Sequence, residues 1–241
     1  MTGELLTLIM VGTAVLLGAI VQGSVGFGLG LMAVPMVTML NPGAMPGAVQ
    51  VVNATLPLFT LAAEWRLIDW RGVGFAVLGR LPGSFLGGLV VLYVSKRSLG
   101  LLVGVMVLAA VGLTVWAVSV PRNGRTITGA GFVSGITGTA TGVGGPPMAL
   151  VYQNAKGPQI RATLAMFFLL SAVQSMIILA ALDRFPAHAL TFGALLIPFV
   201  VAGFLISRPL RRFLDAGRIR TAILVVAAIS ALTLIAQSTL G

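Results

Sequence analysis

The sequence predicts an all-α protein, a polytopic transmembrane helical bundle. Three observations predict it. Of 241 residues, 58% are hydrophobic and 8% charged, where a soluble domain carries about 25% charged residues. Mean hydropathy is +1.07. The apolar residues fall in runs long enough to cross a hydrocarbon core, which takes roughly 20 residues per helix. Helix is the state expected of each run, because an open sheet edge cannot face lipid and the alternation of barrel strands is absent.

The runs span 5–40, 44–63, 72–94, 99–119, 126–152, 162–181, 189–207 and 221–239. The N-terminus, MTGELL, has no basic n-region and reads as part of the first run rather than as a cleaved leader. Runs one and five are interrupted by glycine, as GSVGFGLGLMAVPM at 23–36 and GITGTATGVGGPPM at 135–148.

These interruptions reveal a repeat. Displaced by 112 residues without gaps, Val21, Gly23, Gly26, Gly30, Pro35, Met36 and Pro46 fall on Val133, Gly135, Gly138, Gly142, Pro147, Met148 and Pro158. With four residues inserted, Pro82 and Gly87 meet Pro198 and Gly203. Two homologous halves follow, 1–120 and 124–241, joined by the basic turn Pro121–Arg125.

Fifteen Lys and Arg face five Asp and Glu. Set in short loops, this excess points to orientation by the positive-inside rule and to anionic lipid, not to nucleic acid. If all eight runs cross once, the loops hold nine basic residues on one side and five on the other, Arg80 apart. If runs one and five dip in and return, Arg66, Arg71, Arg122, Arg125, Lys156, Arg161, Arg208, Arg211, Arg212, Arg218 and Arg220 share one side. Lys96, Arg97 and Arg184 then oppose them, an 11:3 split. The second arrangement is preferred. It gives three crossings per half, hence inverted halves, a common transporter plan, and both arrangements place the termini outside.

Glycine-rich backbone at membrane depth needs protein or water beside it, and helices broken at matching places in two repeats point to a transport site. Their N-termini present partial positive charge and free N–H groups to an anion. The candidate substrate-binding residues are Gly26, Phe27, Gly28 and Gly30 in the first break, and Gly138, Thr139, Thr141, Gly142, Gly144 and Gly145 in the second. Hydroxyls of Ser24, Thr137, Thr139 and Thr141 are candidate donors. The competing reading is close helix packing, for which Gly26 and Gly30 have the spacing.

Arg80, in GRLPGS, is the basic residue set well inside an apolar run. It is either an attracting charge on the pathway or an arginine satisfying carbonyls freed near Pro82. Gln50 and Asn53 share a face in run two, as Ser171, Gln174 and Ser175 do in run six; a substrate role competes there with hydrogen bonding between helices.

The five acidic residues, Glu4, Glu64, Asp69, Asp183 and Asp215, and the lone His188 lie near predicted membrane ends, and there is no cysteine. No buried carboxylate offers itself as a proton carrier, and no metal-ligand spacing, P-loop or nucleophile–base pair appears. No catalytic residue, metal or cofactor is therefore expected. A transporter or channel is favoured over an enzyme.

At the two glycine motifs the sequence resembles the TauE/SafE family of sulfite-exporter-like membrane proteins. GSVGFGLGLMAVPM, GFVSGITGTATGVGGPPMALVY, GRLPGSFLGG and IRATLAMFF carry the likeness, GVGGPP most specifically. The resemblance implies a duplicated helical transporter of small sulfur-containing anions such as sulfite or sulfoacetate, acting in the bacterial inner membrane. Its partners would be that anion, the lipid bilayer and, in an oligomeric form, a second copy as a homodimer. The first motif departs from the family, where glycine is often denser: Phe27, Leu29 and Leu31 alternate with Gly26, Gly28 and Gly30. Export suits an anion leaving a negative cytoplasm, which gains about 2.3 kcal/mol per charge and 100 mV. Two alternatives stay open, a channel for a neutral or cationic solute and a non-transporting assembly subunit.

Overall fold

A computed structural model describes residues 2–115, 120–210 and, in the last run, 228–229, 231–232 and 235–236. Arg211, Arg212, Arg218, Arg220 and most of run 221–239 lie outside the described residues. The described chain is helical, with no strand: α1 (Thr2–Val25), α2 (Leu29–Leu40), α3 (Gly47–Glu64), α4 (Trp70–Tyr93), α5 (Lys96–Val115), α6 (Gly124–Thr141), α7 (Gly145–Tyr152), α8 (Gly157–Ala181), α9 (Ala187–Leu195) and α10 (Ile197–Leu210). Four segments are long and apolar enough to cross a membrane: Gly3–Val25, Trp70–Tyr93, Gly157–Ala181 and Ala187–Leu210.

Local chemistry sets several ends. Asp69 caps α4 by accepting from the Gly72 N–H at 2.9 Å. Asn123 and Thr126 form a reciprocal capping box at the start of α6, which satisfies N–H groups that have no intrahelical acceptor. Runs one and five are both broken, as their glycines predict. The breaks are Gly26–Gly28 and Gly142–Gly144, with positive φ of 104° at Gly26, 129° at Gly28 and 83° at Gly142.

Glycine also brings together helices that are distant in the chain. A Cβ at Gly79, Gly83 or Gly87 of α4 would lie 1.9 Å from Thr128 O, 2.2 Å from Phe132 O or 2.6 Å from Ile136 O of α6. The partners advance in step along both helices, so α4 and α6 run parallel with backbones in contact, the small-xxx-small geometry of membrane interfaces. α1 and α10 are parallel in the same way: Gly12 abuts Phe199, Gly203 abuts Leu16 O and Gly23 abuts Ser207. α3 and α8 run antiparallel, clamped at one end by Arg161 Nη2 and Glu64 Oε1 at 2.7 Å.

The broken segments turn back on themselves. Leu40 and Asn41, at the end of α2, share a surface hollow with Gly3–Leu8 at the start of α1. Tyr152, at the end of α7, lies under the guanidinium of Arg122, 5.6 Å from its ring centre, and donates to Asp69 beside the start of α4. One end of the bundle thus gathers the start of α1, the end of α2 and the start of α9. The ends of α4 and α8 join it, where Arg184 reaches Leu92 O. The other end gathers the starts of α4, α6 and α8. Among the described residues Arg66, Arg71, Arg122, Arg125, Lys156, Arg161 and Arg208 belong to that second end, and the α5 start and Arg184 to the first. This is the charge partition of the dipping arrangement, and it replaces single crossings for runs one and five.

Candidate functional site

Arg80 lies ten residues into α4, about 15 Å along its axis, and is 1% exposed. The glycine-lined contact with α6 holds it there: Gly135 admits the Arg80 backbone, and a Cβ at Gly138 would stand 3.0 Å from Nη1. Nη1 donates to Ser134 O at 2.7 Å and lies 3.4 Å from Ser134 Oγ. Nη2 donates to Ser175 Oγ at 2.8 Å and Ser171 O at 3.2 Å. The Phe167 ring centre is 5.7 Å from the guanidinium carbon. Its hydrogen-bond acceptors are therefore neutral and belong to α6 and α8. They are not carbonyls freed near Pro82, so the local reading of Arg80 is corrected.

Nε of Arg80 has no hydrogen-bond partner, and among the described residues no carboxylate pairs with this guanidinium. Taking a cation out of water costs several kcal/mol, and neutral acceptors return part of it. A buried arginine with no counter-charge is a standing attraction for an anion.

The space beside it is a cavity of about 40 Å³, room for two or three water molecules or one small oxyanion head group. Ten predicted residues line it: Phe27, Gly28, Gly30, Gln50, Asn53, Arg80, Gly138, Gly142, Gly144 and Gly145. Both broken helices thus bring their N-termini to one cavity, α2 through Gly28 and Gly30 and α7 through Gly144 and Gly145. They approach closely, since a Cβ at Gly30 would be 2.9 Å from Gly142 O. Leu29 and Leu31 N–H of α2 serve Gln22 Oε1 and Gly28 O, and Pro146 and Pro147 of α7 have no N–H, so the first-turn donors left are Gly30 and Gly145, which with the helix dipole favour an anion there.

Three predicted residues are not in the lining. Gly26 packs against the Arg161 backbone, 3.3 Å from an added Cβ. Thr139 hydrogen-bonds with Ser175 at 2.8 Å, behind the guanidinium. Thr141 donates back to Thr137 O at 2.8 Å. Ser24 and Thr137 likewise bond Ile20 O and Val133 O of their own helices. The hydroxyls of Ser24, Thr137 and Thr141 thus serve their own helix backbone, as buried Ser and Thr do when a carbonyl one turn back is free, and that of Thr139 serves Ser175.

Gln50 and Asn53 make the hydrogen bonds between helices foreseen for them and also line the cavity. Gln50 Nε2 donates to Gly138 O at 2.7 Å and Asn53 Nδ2 to Gly142 O at 3.1 Å, satisfying the last carbonyls of α6 from α3, while both side chains line the cavity. Sequence reasoning missed Gln22, Ser134 and Phe168 in the lining. Gln22 Oε1 accepts from Leu29 N–H at 3.2 Å, capping α2, and Ser134 Oγ donates to Gly144 O. A signal was present, because the 112-residue displacement sets Gln22 on Ser134, polar on polar beside each glycine motif.

The cavity is small and polar, has one buried cation among the described residues, and is walled by broken helices inside a bundle with membrane-spanning segments, an arrangement suited to a membrane transport protein. The chain belongs to the family described as sulfite exporter TauE/SafE, which matches residues 10–234; these proteins are transporters, not enzymes. It is similar to a probable sulfite/organosulfonate exporter TauE of Cupriavidus necator, 33% identical over 226 residues and covering 86% of each chain. No solved structure matches it.

Proposed function

We propose that the protein is a secondary transporter that exports a small sulfur-containing oxyanion, sulfite or an organosulfonate, across the bacterial inner membrane. The observation that carries the reading is Arg80, a buried guanidinium in the cavity lining with neutral acceptors and no carboxylate partner among the described residues. The similarity to the Cupriavidus sulfite/organosulfonate exporter supports the chemical class. Outward movement of a monoanion down a negative-inside potential releases about 2.3 kcal/mol per 100 mV and asks for no buried carboxylate.

The halves 1–120 and 124–241 act as inverted copies in this reading, and alternating access comes from one rocking on the other. The basic end of the bundle faces the cytoplasm by the positive-inside rule, so both termini face the periplasm. Gly43 follows α2 and lies at the end where α1 starts. In the cysteine-free background, Gly43→Cys is expected to react with an impermeant maleimide added outside whole spheroplasts. Reaction only after permeabilisation overturns the orientation.

The function is tested by sulfite flux from proteoliposomes at an imposed potential. Wild-type protein is expected to pass sulfite with the potential. Arg80→Ala is expected to lower the flux by about 30-fold or more, since removing one partner of a buried charge contact costs about 2 kcal/mol or more. Undiminished flux in Arg80→Ala removes the guanidinium from the mechanism; absence of sulfite and sulfonate flux in folded wild type removes the function.

A further inference from the structure

We propose that the anion this site selects carries a hydrogen-bond donor of its own, and that Gln50 and Asn53 read it. The inference deepens the anion reading above and rests on it. Gly138 O and Gly142 O only accept, so the amide nitrogens of Gln50 and Asn53 must face them, at 2.7 and 3.1 Å. That fixes both amides and turns Oε1 of Gln50 and Oδ1 of Asn53 away from α6. Neither oxygen has a partner among the described residues, although Gln50 is only 2% exposed, and both side chains line the cavity.

The cavity therefore has walls of two kinds. One is positive and donating: the guanidinium of Arg80 and the N–H groups of Gly30 and Gly145 at the starts of α2 and α7. The other, on α3, presents two amide oxygens. Each amide keeps a second N–H, which adds to the donors and leaves the oxygen as the atom in need of a donor. In about 40 Å³ a bound sulfo group leaves little room for water beside it. An oxyanion with no hydrogen to give then turns its lone pairs toward the amide oxygens and leaves them unpaired. A hydrogensulfite ion or a hydroxyalkanesulfonate places an O–H there. A site built to hydrogen-bond a group discriminates strongly against the analogue that lacks it, because its own polar atoms go unsatisfied. The class assigned is thus the donor-bearing monoanion, in preference to the bare sulfite dianion or an alkylsulfonate.

Calorimetric titration of the purified full chain in detergent tests this with three probes: ethanesulfonate, hydroxyethanesulfonate and sulfite. Hydroxyethanesulfonate is expected to bind at least about fivefold tighter than ethanesulfonate, the effect of one hydrogen bond. Sulfite is expected to bind tighter as pH falls through the neutral range and it gains a proton, while ethanesulfonate does not change. In Gln50→Met and Asn53→Leu the ratio between the two sulfonates is expected to fall toward one; the wild-type ratio stands as a test even where these variants fold poorly. Equal affinity for the two sulfonates in wild type overturns the donor rule and leaves the anion site standing. Absence of binding by all three anions, in protein of native helicity, overturns the donor rule and the anion site together.

Discussion

The two broken segments share their lettering but not their construction. In the gapless register Gly26 matches Gly138 and Gly30 matches Gly142. Yet the first segment breaks at Gly26–Gly28 and the second at Gly142–Gly144, one helical turn later in that register. Gly26 takes positive φ, while its counterpart Gly138 stays inside α6 and Gly142 takes it instead. The returning helices differ accordingly, twelve residues in α2 and eight in α7. The prolines differ as well. Pro35 sits inside α2, and Pro146 and Pro147 open α7, where a missing N–H costs nothing and the fixed φ suits the first turn.

The two breaks are also finished by different means. The first is capped from within, Gln22 reaching Leu29 N–H seven residues on. The second has a local bond too, Ser134 Oγ donating to Gly144 O, and is further tied from elsewhere in the chain. Gln50 and Asn53 of α3 take its carbonyls, and Arg80 of α4 takes Ser134 O on the same helix. The first break rests on one local cap, whereas the second is also tied to three residues of α3 and α4 that line the cavity.

The comparison is sharpened most by Gly142→Ala. The substitution forces a side chain into positive φ, which costs about 1–3 kcal/mol, and sets a Cβ 2.7 Å from Val49 Cγ1 and 3.1 Å from Val34 Cγ2. It is expected to lower the melting temperature in detergent and to weaken anion binding together. Gly26→Ala meets the same backbone penalty at φ 104° with its nearest neighbour, Arg161 Cα, at 3.3 Å. It is expected to destabilise less and to leave anion affinity within a few-fold of wild type. A larger affinity loss at Gly26 than at Gly142 breaks the distinction drawn between the segments.

The smallest effect is expected for Gln22→Ala. It removes one side-chain cap, about 1 kcal/mol, and a thermal denaturation series reads it as a modest stability loss. Anion affinity is expected to fall less than in Asn53→Leu. The reverse order makes the first break, not the second, the one that governs binding.

The membrane class, the positions of the breaks to within a turn and most of the cavity lining were legible in the sequence. They rest on composition and on chain-local chemistry. A hydrophobic run long enough to span must be helical, and glycine repeated at matched places marks where a helix gives way. Arg80 was legible as an anomaly, being a charge in an apolar run, but its partners were not. Ser134, Ser171 and Ser175 lie 54, 91 and 95 residues away, and no spacing rule joins them to it. The hydroxyls of Thr139 and Thr141 were misassigned because a threonine near a break has two acceptors to choose from, and packing makes the choice.

By itself, then, the sequence determined a helical membrane protein with two matched interruptions and a charge asymmetry that favoured segments returning to their own side. Only the tertiary structure decided which glycine bears the break, which carbonyls Gln50 and Asn53 hold, and that Arg80 lines the cavity with no counter-charge among the described residues. The physical reason is one of range. Helix formation and bilayer matching are settled by neighbours along the chain. The pairing of a buried cation or an amide depends on which helices can approach backbone to backbone, and here glycines on α4 and α6, about 50 residues apart, set that approach.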